Sequence, residues 1–418
     1  MPLTDRLLEN GIRLITEPIA ATKAVAIGFW FSCGSRDETQ GLFGVTHFIE
    51  HMLFKGTDRY SAFAIARFFD SIGGYVNAFT EREYLCFYCV VPFNKVTESF
   101  DIMLDMVFRS VIRDDDVEKE RSVIVSEVLS SLDDAEETGT DVAVATLYAG
   151  HGLSRPIAGS VEDVESLSAD AIRAQYRNLL DSVPLLVTVA GNVDPELIAR
   201  QLGEVSYKAT LSLAVKSVPP TWNPGRFFVE SRFSQSQVFL SFPLRSVSSP
   251  DDWFSWAIIN AIIGDSVSSR LFQNLREKRG LCYSLYSFYS CNRDSALWSA
   301  YLAVPPERTR EAVESLLAEL ESVRSNGVSD TEVIDAQGHI SGELLLSAED
   351  TENRMKRLAR QFFYGGKMLS IEESIDCVMM LSREDIASRI TSAFGSQDES
   401  LIVYAGKKSL KECKKIWR

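Results

Sequence analysis

The sequence predicts an α+β protein of two homologous domains, each a mostly antiparallel sheet flanked by helices. Three observations carry that prediction. A chain of 418 residues exceeds what one ordinary core encloses, and two domains of about 200 residues each fit it. Near its middle the periodicity lapses in strong breaker chemistry, Pro219-Pro220-Thr221-Trp222-Asn223-Pro224-Gly225. The order of strand-like and helix-like segments before that gap is replayed after it, the pattern that duplication of one unit leaves. The expected division is a first domain over 1–207, a linker over 208–225 and a second domain over 226–418.

In the first half, residues 12–17 and 24–32 read as strands separated by a short turn, the second rich in apolar and aromatic residues. The polar stretch Gly34–Gly41 leads into a short helix, and a second helix follows at 61–71, closed by Gly73-Gly74. Strands at 75–80 and 84–91 come next, then long helical patterns at 95–112 and 114–133. The latter opens on Asp114-Asp115-Asp116, carboxylates that suit a helix N-terminus. Helix, strand and helix at 169–180, 185–190 and 194–203 close the half. The second half repeats the scheme: strands at 226–231 and 236–243, helices at 252–263 and 268–278, strands at 282–290 and 295–303. Long helices at 305–325 and 329–347 and a late strand at 400–404 complete it.

Composition narrows the class. The 45% apolar and 24% charged content is that of a soluble globular protein. No run approaches about 18 apolar residues, so no membrane-spanning helix is expected. The N-terminus resembles neither a signal peptide nor a transit sequence, and the expected location is a bacterial cytoplasm, with the mitochondrial matrix as the alternative. Seven cysteines scattered at 33, 86, 89, 282, 291, 377 and 413 fit reduced thiols in such a compartment. Cys86 and Cys89 spell C-x-x-C inside a strand, where residues three apart face opposite ways, so they read as buried hydrophobes and not as a redox or metal pair. A formal charge of −15 argues against nucleic acid and suits a basic polypeptide partner.

Chemistry concentrates in Gly44-Val45-Thr46-His47-Phe48-Ile49-Glu50-His51-Met52-Leu53-Phe54-Lys55-Gly56-Thr57, which holds two of the chain's four histidines. His47 and His51, four apart, share one helical face with Glu50 beside them. Two imidazoles on one face make half a zinc site, and His-x-x-Glu-His is the reversed zincin motif. The corresponding helix of the second half, Trp253–Asn260, carries no histidine, so only one half is built to bind a metal. A carboxylate is needed to complete the site. Glu120 and Glu127, seven apart on helix 114–133, share a face, but spacing alone singles out neither.

These stretches, with Glu120–Glu127, His151–Gly159 and Ser268–Tyr283, resemble the pitrilysin-like inverzincins over nearly the full length. The processing-peptidase β subunits and their bacterial relatives are the most similar branch. The resemblance implies one Zn²⁺ per chain, held by His47, His51 and Glu127, with Glu50 as general base for the attacking water and Glu120 as a supporting acid. It also implies that Asn77 and Ala78 lie on an edge strand that binds extended peptide, and that Phe54 lines the pocket for the side chain just after the cut. Glu137 and Asp141 match an acidic pair that holds an arginine two residues before the cut. Arg276 and Tyr283 match a pair that binds substrate backbone and the developing oxyanion. In double-length relatives that pair comes from the C-terminal half, so here a second protomer is expected to supply it across a dimeric chamber. A homodimer is expected, with a heterodimer containing an α-type subunit as the alternative. Two departures concern substrate capture: Gly264-Asp265-Ser266 replaces a triple glycine, and Ser154 replaces a glycine. His151 and His339 read as structural.

The resulting expectation is a zinc endopeptidase acting on unfolded or short, basic, presequence-like peptides. The alternatives are a general oligopeptide-degrading peptidase and a noncatalytic core or partner subunit of the same fold.

Overall fold

A computed structural model describes residues 3–207, 218–245 and 247–417; positions 208–217 of the expected linker lie outside the described residues. In the first half the elements are β1 (Thr4–Leu7), β2 (Arg13–Pro18), β3 (Ala24–Phe31), α1 (Val45–Met52), α2 (Ala62–Ile72), β4 (Tyr75–Thr80), β5 (Leu85–Pro92), α3 (Val96–Phe108), α4 (Asp114–Asp133), α5 (Ala135–Leu147), α6 (Val161–Ser166), α7 (Ala169–Ser182), β6 (Leu185–Gly191) and α8 (Pro195–Gly203). In the second they are β7 (Gly225–Glu230), β8 (Ser236–Leu244), α9 (Pro250–Asn260), β9 (Ser284–Asn292), β10 (Ser295–Val304), α10 (Thr309–Asn326), α11 (Asp330–Ser347), α12 (Thr351–Arg360), α13 (Ile371–Met380), α14 (Arg383–Phe394), β11 (Ser400–Ala405) and α15 (Lys407–Cys413).

The strands form two sheets, ordered β1-β2-β6-β3-β5-β4 and β7-β11-β8-β10-β9. Pairing is antiparallel except between β2 and β6 in the first sheet and between β7 and β11 in the second. The expected α+β architecture of two mostly antiparallel sheets flanked by helices is thus the observed one. Alternation along the strands sorts their side chains. Val25, Ile27, Phe29 and Phe31 of β3 enter the core shared with α1 and α3. Trp30 points to the other face, where its indole N–H donates to the Thr188 hydroxyl at 2.7 Å. Cys86 and Cys89 on β5 are both buried, and Cys89 joins the helical-side core. Burial pushes the Cys89 thiol up to about 12, as expected for an inert hydrophobe.

The compact units interleave along the chain. Residues 132–154, including α5, group with the second sheet, and residues 347–360, including α12, group with the first. Each lone helix has an identifiable hold. On α12, Met355, Leu358 and Ala359 are buried, while Arg354 and Arg357 reach Glu17 of β2 at 2.8 and 3.0 Å. Gly28 of β3 permits this approach, since a Cβ there would lie 2.5 Å from the Met355 Sδ. On α5, Ala143 and Leu147 join Phe239, Tyr301 and Ile402 in a core on the second sheet. Gly139 sits tightly against Gln237, where an added Cβ would lie 3.1 Å from two of its side-chain carbons. The long pattern beginning at Asp114 ends at Asp133, and Asp134 starts the next helix by accepting the N–H groups of Glu136 and Glu137.

Among the described residues, no helix is long and apolar enough to cross a membrane.

Candidate metal centre and active site

Two-sidedness makes α1 what it is. Val45, Phe48, Ile49 and Met52, at i, i+3, i+4 and i+7, are all buried in the first core. That leaves His47, Glu50 and His51 on the opposite stripe. The two imidazole centroids are 4.8 Å apart. Glu127 arrives from α4, its Oε2 lying 3.3 Å from His51 Nε2 and 3.9 Å from His47 Nε2. The ligand atoms of His47, His51 and Glu127 all lie within 4.8 Å of one another.

Glu120, two turns earlier on α4, is buried behind His51. Its Oε2 accepts the Nδ1–H at 3.1 Å, and its other oxygen meets the Lys55 ammonium at 2.6 Å. With Nδ1 as the donor, the lone pair of His51 Nε2 is left on the Glu127 side. Burial, and secondarily the neighbouring His51, lowers the pKa of His47 to about 4, so that ring is neutral near pH 7. Its Nδ1 is buried with no hydrogen-bond partner among the described residues. Because the His47 ring is neutral, it offers the Glu127 carboxylate no compensating charge. The Glu127 side chain is 51% exposed, so water can screen it, and it is the imidazole–imidazole–carboxylate donor set that would suit zinc.

Glu50 sits next to this group in a buried position. The Thr80 hydroxyl, at the end of β4, donates to its Oε2. Burial raises the Glu50 pKa, and the Thr80 bond opposes the rise. A carboxylate held above its ordinary range is suited to taking and returning a proton near neutrality.

The other anticipated residues divide between the two units. Phe54 packs partly buried on the first core, its ring 6.2 Å from that of Phe87. Asn77 and Ala78 lie on β4, the outer strand of its sheet, and the Asn77 Oδ1 accepts the Ala78 N–H at 2.9 Å. Glu137 and Asp141 stand on α5, within the second unit, Glu137 exposed and Asp141 half-buried. Arg276 and Tyr283 are also in that unit, and the guanidinium lies 5.0 Å from the tyrosine ring centroid and 4.5 Å from that of Phe272. Tyr283 is 79% exposed. His151 has backbone partners, its Nε2 2.9 Å from the Val218 carbonyl oxygen and its Nδ1 accepting the Leu153 N–H at 3.1 Å. His339 lies 3.3 Å from Glu343, one turn along α11.

Three residues at the site had no signal in the sequence. Thr80 and Lys55 act through contacts that spacing does not announce, and Glu38 sits beneath the start of α1. Arg36 and Glu83 form a buried ion pair between the segment after β3 and the hairpin that follows Thr80.

Known proteins resemble the chain at both levels. The description "Insulinase (Peptidase family M16)" matches residues 13–161, and "Peptidase M16 inactive domain" matches residues 166–338. An uncharacterized zinc protease of Streptomyces coelicolor is 32% identical over 95% of this chain and 88% of its own length. One from Bacillus subtilis is 31% identical over 88% and 90%. A peptidase M16 inactive domain from Pseudomonas fluorescens shares the fold with a TM-score of 0.87 at 15% identity, covering 97% of this chain and 99% of that one. The chain belongs to peptidase family M16, the insulinase family.

Proposed function

We propose that this chain is a zinc endopeptidase that cuts unfolded or short peptides. The carrying observation is the convergence of His47, His51 and Glu127 within 4.8 Å, with the buried Glu50 beside them. The zinc-protease names of the relatives support the same reading. His47, His51 and Glu127 would hold one zinc ion per chain, which would supply a Lewis acid and make the attacking water more acidic. Glu50 takes the proton of the attacking water and returns it to the leaving amine, while Thr80 holds one of its oxygens in place. Glu120 fixes the His51 ring.

The extended substrate adds to the edge of β4 near Asn77 and Ala78, and Phe54 lines the pocket after the cut. Glu137 and Asp141 select an arginine before it, and the charge of −15 favours basic, presequence-like peptides. The active unit is a homodimer in the cytoplasm, in which Arg276 and Tyr283 of one protomer serve the metal centre of the other.

The first test is Glu50→Gln. The variant retains zinc and loses turnover, and chelation abolishes cleavage by the wild type; full activity in Glu50→Gln overturns the mechanism. Sharing between protomers is tested by mixing Arg276→Ala with His47→Ala chains, where activity above that of either alone is expected. Cleavage-site mapping on a random peptide library should show arginine at the second position before the cut.

A further inference from the structure

The metal helix has an unusual start. It is only eight residues long, and its N-cap is Gly44, which has no side chain to receive the first N–H groups. Nor can it have one. Gly44 has a φ of 80°, and a Cβ there would lie 2.4 Å from the Ala158 carbonyl oxygen. Two-turn helices are marginal by themselves, so something else must hold this one.

Glu38 does so from six residues upstream. Its Oε2 accepts the Gly44 N–H at 2.7 Å and its Oε1 accepts the Thr46 N–H at 2.8 Å. The side chain is buried, and its own backbone carbonyl accepts from the Arg155 guanidinium at 3.0 Å. Arg155 also lies 4.0 Å over the ring of Phe43, which clasps the loop between Glu38 and Gly44. Thr46 immediately precedes His47, so the carboxylate grips the turn that aims the first imidazole.

We propose that Glu38 is the positioning residue of the metal helix: by capping α1 at Gly44 and Thr46 it sets where His47 and Glu50 stand relative to Glu127. Burial pushes its carboxyl up to about 7 even though the N–H donors pull it down, a desolvation cost borne by a group with no place in the core. The inference rests on the reading that His47, His51 and Glu127 hold zinc.

The experiment measures Zn²⁺ affinity by competition with a chromophoric chelator, in the full chain, for the wild type and Glu38→Gln. The amide keeps the shape but turns an N–H donor toward one of the two helix N–H groups. A loss of about ten- to a hundredfold in affinity is expected, the range for groups that orient metal ligands. With saturating zinc, kcat falls while KM holds. Ile198→Ala, in the buried face of α8, serves as a control for general destabilisation and should leave affinity unchanged. Should Glu38→Gln accumulate unfolded, Arg155→Met loosens the same loop and is expected to shift affinity in the same direction. If the wild type takes up no zinc, the reading of the metal site fails. If it takes up zinc and neither variant lowers affinity, or the control lowers it equally, the role of Glu38 fails.

Discussion

Replacing Glu120 by Gln tests how firmly His51 must be held. The wild-type carboxylate serves two donors at once, His51 Nδ1–H at 3.1 Å and the Lys55 ammonium at 2.6 Å. Gln has one acceptor oxygen for the two. Whichever donor it keeps, its NH₂ is turned against the other, in a position only 7% exposed where water cannot substitute. A hydrogen bond to a charged group is worth about 1.5–3 kcal/mol, and losing it at His51 corresponds to roughly ten- to a hundredfold weaker zinc binding. Chelator competition measures this directly. The double variant Glu120→Gln/Lys55→Met frees the amide oxygen for His51 alone, so part of the affinity should return. Zinc binding within about twofold of wild type in Glu120→Gln would refute the argument that this carboxylate orients the ring.

Two further substitutions probe the scaffold. Gly28→Ala places a Cβ 2.5 Å from the Met355 Sδ and 2.7 Å from the Trp30 Nε1, all buried, so urea unfolding should show a loss of about 1–3 kcal/mol. An unchanged midpoint would mean that α12 yields freely. In the second unit, Arg270 makes a two-pronged contact with Glu332 at 2.6 and 2.8 Å, and with the Ser329 donors it lowers the Glu332 pKa to about 2. A depressed carboxylate adds stability above its ordinary range and loses it as pH falls through the folded value. The stability difference between wild type and Arg270→Met should therefore be greatest above about pH 4.5 and shrink toward pH 2. A difference that does not change with pH would assign the contact to packing.

Local periodicity carried much of this structure. Helical spacing put His47 and His51 on one face with Glu50 beside them, and the structure has that face opposite the buried Val45, Phe48, Ile49 and Met52. Apolar and aromatic runs forecast β3 and β5 as strands, and residues three apart on a strand forecast that Cys86 and Cys89 face opposite ways and are buried. What stayed hidden depended on distant partners. Thr80 is 30 residues from Glu50, and nothing in a strand-terminal threonine marks it as the donor to that carboxylate. Glu127 could be told from Glu120 only by resemblance, because seven-residue spacing gives both the same face while the fold makes one buried and the other exposed. The placement of α12 was illegible for a similar reason. Its sequence, Thr-Glu-Asn-Arg-Met-Lys-Arg-Leu-Ala-Arg, is mostly polar, and the partner of two of its arginines, Glu17, lies some 340 residues away.

The assignment of α5 to the second unit and α12 to the first also sets a timetable for synthesis. When the ribosome has finished β6, the last strand of the first sheet, the helix that covers Trp30 and Gly28 is still about 160 residues from being made. At about 5–20 residues per second, that face waits roughly ten to thirty seconds for its cover. During the wait Trp30 and its apolar neighbours are open to water or to a chaperone. A fragment ending near residue 207 never leaves that state. His47, His51 and Glu127, all within the first 131 residues, are therefore translated long before the sheet beneath them is covered.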